Sequence, residues 1–279
     1  MSPLYKFISG IDAVKNILAG NVKFTPISEL NDPSEMTPTL NDQDILDSLK
    51  HMQQHGYSEC DMKFLRQQGN ILRTLAPRFK VIPIPNNSVE ANSIIKSSYY
   101  ETHFDQIKQL FMETSQEIVS KVGVLCLTNH YHCLPMWAHY ANNSKGFVIE
   151  FINLDQPFKG DETGVLRQVR QITYNGEKCG ITFEPSSHEN GFFSKYKDWS
   201  YEQEFRVVMP LVDCEQQNIN QVQVHIYKIP KNCINRIILG WQTSDEQTIE
   251  IKQQVKEINP AVEVCRAQFS NGSIEIIEL

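Results

Sequence analysis

The chain has 279 residues, of which 41% are hydrophobic, 10% aromatic and 21% charged, with a formal net charge of −7. This is a globular composition with ample material for a core, and its charge speaks against a broad basic surface for nucleic acid. No apolar run nears the ~20 residues of a membrane span and no cleavable leader opens the chain, so a cytoplasmic protein without membrane contact is expected. Residues 4–7 open as a short strand, and Ile11, Val14, Ile17 and Leu18 follow at helical spacing closed by Gly20. Residues 22–25 form a second strand ended by Pro26. In the turn Glu29-Leu30-Asn31-Asp32-Pro33-Ser34-Glu35, Asn31 and Asp32 can satisfy backbone donors while Pro33 blocks continuation. Such a turn is either a plain loop or a rigid way to present polar atoms to a ligand.

Residues 43–76 and 89–119 carry helical patterns on either side of the segment 81–87. They read as a helical insertion at about 43–120 within a single domain, 1–279. Strand character resumes at 122–127, a short helix is predicted over 135–140, and 147–151 and 167–174 are strands. Residues 192–197 are predicted as a short helix leading into the stretch 199–209, read as a strand ended by Pro210. Alternation puts Glu202, Glu204 and Arg206 on one face of that strand and Tyr201, Gln203, Phe205 and Val207 on the other. Arg206 can neutralise one carboxylate; the second raises its neighbour's pKa or awaits a partner. An edge strand with a solvated salt bridge is the competing reading. Further strands at 222–229, 234–239, 262–266 and 273–277, with a helix at 245–258, favour an α+β fold with a largely antiparallel sheet.

The seven cysteines (60, 126, 133, 179, 214, 233 and 265) form no CxxC pair, which argues against a disulfide framework and a zinc ribbon. The densest set of potential ligands is His130, His132, Cys133 and His139, but no second Cys/His pair lies at the usual distance, and no metal is expected. Cys133 with His132 or His139 as a nucleophile lacks a supporting context. Signatures of a nucleophile elbow, a Walker loop and a dinucleotide turn are all missing. Trp137, His139, Tyr140, Trp199 and Tyr201 lie beside polar turns, where planar rings either pack in the core or stack a nucleobase or nicotinamide.

Four short motifs occur in order: Leu4-Tyr5-Lys6-Phe7; Asn31-Asp32-Pro33-Ser34-Glu35; Met136-Trp137-Ala138-His139-Tyr140 with Gly146; and Trp199-Ser200-Tyr201-Glu202-Gln203-Glu204-Phe205-Arg206. Together they resemble a bacterial family catalogued as a domain of unknown function, itself remotely similar to ADP-ribosyltransferases. Ser34 departs from the aromatic residue usual in the second motif. The resemblance implies a split, largely antiparallel ADP-ribosyltransferase-like sheet with a helical insertion, and an NAD cleft with NAD as substrate. It implies Glu204 as the catalytic glutamate and Glu202 as the accessory acid. For NAD binding it points to Tyr5, Lys6, Asn31, Asp32, Trp137, His139, Tyr140, Tyr201 and Arg206.

The expected activity is thus cleavage of the nicotinamide–ribose bond, with ADP-ribose passing to an unknown acceptor, protein or nucleic acid, or to water. A toxin or phage-defence effector with an antitoxin or defence-system partner is implied. Two other readings stand beside it: a non-catalytic nucleotide- or protein-binding sensor module, and a metal-dependent hydrolase at His130, His132 and His139.

Overall fold

The computed structural model describes residues 2–32, 42–75, 87–95, 104–175, 191–219, 221–270 and 272–279. The chain begins with β1 (Leu4–Ile8), α1 (Ile11–Leu18) and β2 (Asn21–Pro26). Val14, Ile17 and Leu18 bury one face of α1, and Gly20 leaves it with φ +88°, a left-handed turn that glycine adopts without Cβ strain. Then come α2 (Asp42–His55), α3 (Glu59–Leu75), α4 (Ser88–Ile95) and α5 (Phe104–Lys121). The first helical block expected from sequence is thus two helices, parted at Gly56, which has φ +71°. Pro33, Ser34 and Glu35, and most of the segment 81–87, lie outside the described residues.

The remainder is strand-rich: β3 (Val122–Thr128), α6 (Leu134–Tyr140), β4 (Phe147–Phe151), β5 (Val169–Gln171), β6 (Thr173–Asn175), β7 (Ser194–Tyr196) and β8 (Glu204–Pro210). β9 (Glu215–Ile219), β10 (Val222–Lys228), β11 (Ile234–Leu239), α7 (Asp245–Ile258), β12 (Glu263–Ser270) and β13 (Ser273–Glu278) complete it. α7 is closed at its start by a capping box between Ser244 and Gln247.

The main sheet runs β13-β12-β11-β4-β1-β3-β2-β10-β9, with β8 and then β5 branching from β3. Its pairings are antiparallel apart from β11–β12, and β6 and β7 form a separate parallel pair. A mixed architecture with a mostly antiparallel open sheet and several helices therefore holds. The branch arises because β3 pairs with β8 from Val122↔Pro210 to Thr128↔Glu204. Along its other side, β2 takes only Gly123 and Val124, while β1 takes only Thr128. Between those contacts the sheet parts beside Cys126 and Leu127.

Three apolar clusters back the sheet. The largest joins α1 and α7 to alternate residues of β1, β4 and β11, such as Leu4, Ile149 and Ile237. On the opposite face, Ile71 and Leu75 of α3 and Ile118 of α5 meet Val122, Val124 and Val208, so the helical segment shares a core with the sheet. The third gathers Phe7, Trp137, Val148 and Ile238.

Three sequence expectations change. Residues 199–203 are not strand: Lys197–Glu202 is a 3-10 turn, Gln203 is left-handed (φ 43°, ψ 50°), and the strand starts at Glu204. The predicted helix at 192–197 ends as a strand, because Ser194–Tyr196 pairs with Thr173–Asn175. The single strand at 167–174 breaks at the buried Ile172, so its two halves join different sheets.

Gly146, beside β4, has the Ile8 carbonyl oxygen and the Ala141 backbone where a Cβ would go. Gly146→Ala is expected to lose about 1–3 kcal/mol, a fall of several degrees in thermal melting; an unchanged midpoint would contradict this close approach.

Candidate active site

Where the sheet parts there is a cavity of about 290 Å³. Each of the four sequence motifs sends residues into its wall: Tyr5, Lys6 and Phe7 from β1, Asn31 from the turn after β2, Met136 and Tyr140 from α6, and Glu202, Glu204 and Arg206 at β8. Lys195 of β7 closes the set.

The polar groups form one hydrogen-bonded chain. The Asn31 side chain adjoins the Tyr140 phenol, and the Tyr140 hydroxyl donates to Glu202 Oε1 at 2.6 Å. Lys195 Nζ donates to Glu202 Oε2 at 2.7 Å and to Glu204 Oε2 at 3.3 Å. Arg206 grips Glu204 with two bonds, Nε to Oε1 at 2.5 Å and Nη2 to Oε2 at 2.9 Å, and also donates to the Phe192 carbonyl at 3.3 Å. Glu202, Glu204, Lys195 and Arg206 are all at most 5% exposed. The Trp199 ring lies 4.7 Å from the Lys195 ammonium, adding a cation–π contact. The left-handed Gln203 makes this convergence possible: it ends the 3-10 turn and starts the strand between the two acids.

Two carboxylates two residues apart thus sit in different electrostatic states. Burial opposes ionisation of Glu204, yet the charges of Arg206 and Lys195, with hydrogen bonds from Arg206 and Cys126, hold its carboxyl well below the usual range. For Glu202 burial prevails, and the Glu204 charge adds to it; Lys195 and Tyr140 offset only part, so its carboxyl is pushed up. Such a divided pair is how one site can hold a permanent anion beside a proton carrier. Tyr140 and Tyr5 are both raised by burial and by an adjacent carboxylate, Glu202 and Glu150 respectively, so both remain neutral donors.

Of the residues expected from sequence, the structure brings Tyr5, Lys6, Asn31, Tyr140, Glu202, Glu204 and Arg206 to one cavity. Four others lie apart from its lining. Asp32 is buried. Trp137 is fully buried, packed edge-on to Phe7 and against Trp241, with its indole donating to the Tyr131 carbonyl at 2.6 Å. Its ring is therefore core, not a stacking platform. His139 is exposed on α6, and Tyr201 is half-buried against Trp199.

Arg206, expected to hold a pyrophosphate, instead has 0% exposure and is committed to Glu204. The residue missed was Lys195, because its segment was read as helix; the aromatic run Phe192-Phe193-Ser194-Lys195-Tyr196 is itself a strand signal. At the histidine cluster, the His130 and His132 rings are 5.0 Å apart and His130 Nε2 meets the Tyr201 carbonyl at 3.2 Å. Among the described residues, no group of three His, Cys, Asp or Glu side chains is placed to hold a metal ion.

Residues 136–207 match the model of a family described as a protein of unknown function (DUF2971). The matched segment runs from Met136 of α6 to Val207 of β8, and so contains Tyr140, Lys195, Glu202, Glu204 and Arg206. No curated protein matches the chain, and no solved structure matches it.

The divided pair gives opposite pH signatures. The folded protein keeps Glu204 ionised below the ~4.3 of an unfolded glutamate, so its stabilisation is complete above about pH 5 and fades as pH falls through the depressed folded value. Glu202, raised in the fold, contributes fully only below ~4.3 and loses that contribution as pH rises through its folded value. At pH 7, Glu204→Gln is expected to cost about 3–5 kcal/mol by leaving Arg206 and Lys195 buried against a neutral group. Glu202→Gln is expected to be neutral or stabilising there. Thermal melts from pH 3 to 9 check both, and equal losses in the two variants would contradict the division.

Proposed function

We propose that the chain is an NAD-dependent ADP-ribosyltransferase-like enzyme, with the nicotinamide–ribose end of NAD seated in the cavity. The observation that carries this reading is the convergence of the four motifs on one cavity containing two carboxylates shifted in opposite directions. At about 290 Å³ the cavity is at the small end for ligand sites. It suits the reacting end of a dinucleotide, with the adenosine part outside.

Breaking the bond from ribose C1′ to the nicotinamide nitrogen moves its electron pair onto nicotinamide and leaves positive charge on the ribose. Carboxylates facing that charge stabilise the transition state more than the ground state. An acceptor nucleophile then bonds to C1′ and gives up its proton. Here Glu202 keeps the role of accessory acid that the resemblance implies, while Glu204 takes a different one. Glu204 is gripped through two bonds by the guanidinium of Arg206 and shares Lys195, and acts as a fixed anion that positions its neighbours. Glu202, with its raised carboxyl and its place beside Tyr140, takes the proton.

The full pairing of Glu204 favours a second reading, a non-catalytic sensor module that binds a nucleotide or a protein. Incubating the protein with nicotinamide-labelled and adenylate-labelled NAD, alone and with cell lysate, separates the two. Nicotinamide release or label transfer is expected, with Glu202→Gln reducing it about 10²–10⁴-fold and no fall in melting temperature. Calorimetric NAD binding without release or transfer would instead establish the sensor, and neither binding nor turnover would remove both readings.

A further inference from the structure

Lys6 differs from the other cations of the cavity. Lys195 and Arg206 are matched to carboxylates, whereas the Lys6 amine makes its hydrogen bond to a backbone carbonyl, that of Cys126, at 3.2 Å. Among the described residues no carboxylate lies within ion-pair distance of it. A lysine drawn in from water without an ion pair lowers its free energy by losing its proton. Burial acts that way on Lys6 first, and Lys23 of β2 adds to it; Cys126 of β3 and Glu204 of β8 oppose only in part, so the amine loses its proton more readily than an ordinary lysine. The amine stands in the cavity wall with Glu202, which can donate or accept a proton. An amine without a carboxylate partner, a bounded cavity and a proton-carrying acid are the parts needed for covalent amine catalysis.

We propose that Lys6 is a nucleophilic amine that forms an imine with a small aldehyde or ketone held in the cavity. Its nitrogen lone pair bonds to the carbonyl carbon while the carbonyl oxygen takes a proton, giving a carbinolamine. Loss of water then gives the imine: the acid form of Glu202 protonates the departing hydroxyl, and the proton left on nitrogen returns to the Glu202 carboxylate. This chemistry needs no NAD and stands apart from the glycosidic reading.

The test uses the intact wild-type protein with glyceraldehyde and cyanoborohydride at pH 7, which fixes an imine as a stable secondary amine located by peptide mass spectrometry. Lys6 is expected to be modified at least about tenfold faster than the exposed Lys197 and Lys252, and its rate is expected to level off below the pH at which an ordinary lysine titrates. Modification of Lys6 no faster than these two lysines, or with the pH profile of an ordinary lysine, would overturn the proposal and leave Lys6 a structural bond across the parted sheet. Because the wild type is the reagent, no outcome depends on whether a variant folds.

Discussion

The Lys195 ammonium, held between two buried carboxylates, is the interaction on which the site depends. Glu202 and Glu204 are separated by one residue and shielded from water, so without a shared cation their repulsion would drive one of them neutral or outward. Lys195 reaches both, and Trp199 covers its outer side. Buried ion pairs seldom repay their desolvation fully and apolar replacements are often as stable. Five neighbouring charged and phenolic side chains are therefore better explained by chemistry than by stability. The same chain of bonds joins the turn after β2, helix α6, β7 and β8 through Asn31, Tyr140, Lys195 and Arg206.

The parted sheet supplies the room. β3 has a full-length neighbour on one side only, and β1 and β2 meet its other side at opposite ends. Antiparallel strands normally close such a gap with ladder bonds; here Lys6 bridges to the Cys126 carbonyl instead. Rigid strands and a short helix thus surround a cavity whose floor is polar. The asymmetry of the acids follows from the same layout, since Arg206 extends along β8 from Glu204 and leaves Glu202 to Tyr140 and Lys195.

Much of this was legible in the sequence where local signals agreed with the fold. Leu4–Ile8, Phe147–Phe151 and Ile234–Leu239 are apolar runs bounded by turns, and Ser244 with Gln247 marks the start of α7. The grouping of Tyr5, Asn31, Tyr140, Glu202, Glu204 and Arg206 came from motif order, because no spacing rule reaches across 200 residues. The errors fell where tertiary contacts overrode local pattern. Alternation suggested a strand through Glu202, yet a left-handed Gln203 achieves the same convergence by a turn. Trp137 lies in a short segment between polar turns but turns its ring to Phe7 and Trp241. Lys195 carried no motif of its own; its importance comes from Glu202 and Glu204, seven and nine residues later.

The central claim is that the carboxyls of two glutamates in one buried network are shifted in opposite directions. Carbon-13 NMR of side-chain carboxyls, assigned with Glu202→Gln and Glu204→Gln and followed from pH 2.5 to 9, reads each directly. Glu202 is predicted to titrate above the ordinary glutamate range, while Glu204 remains ionised well below it. Two carboxyls titrating together near the ordinary value would contradict the claim and reduce the site to a solvated salt bridge.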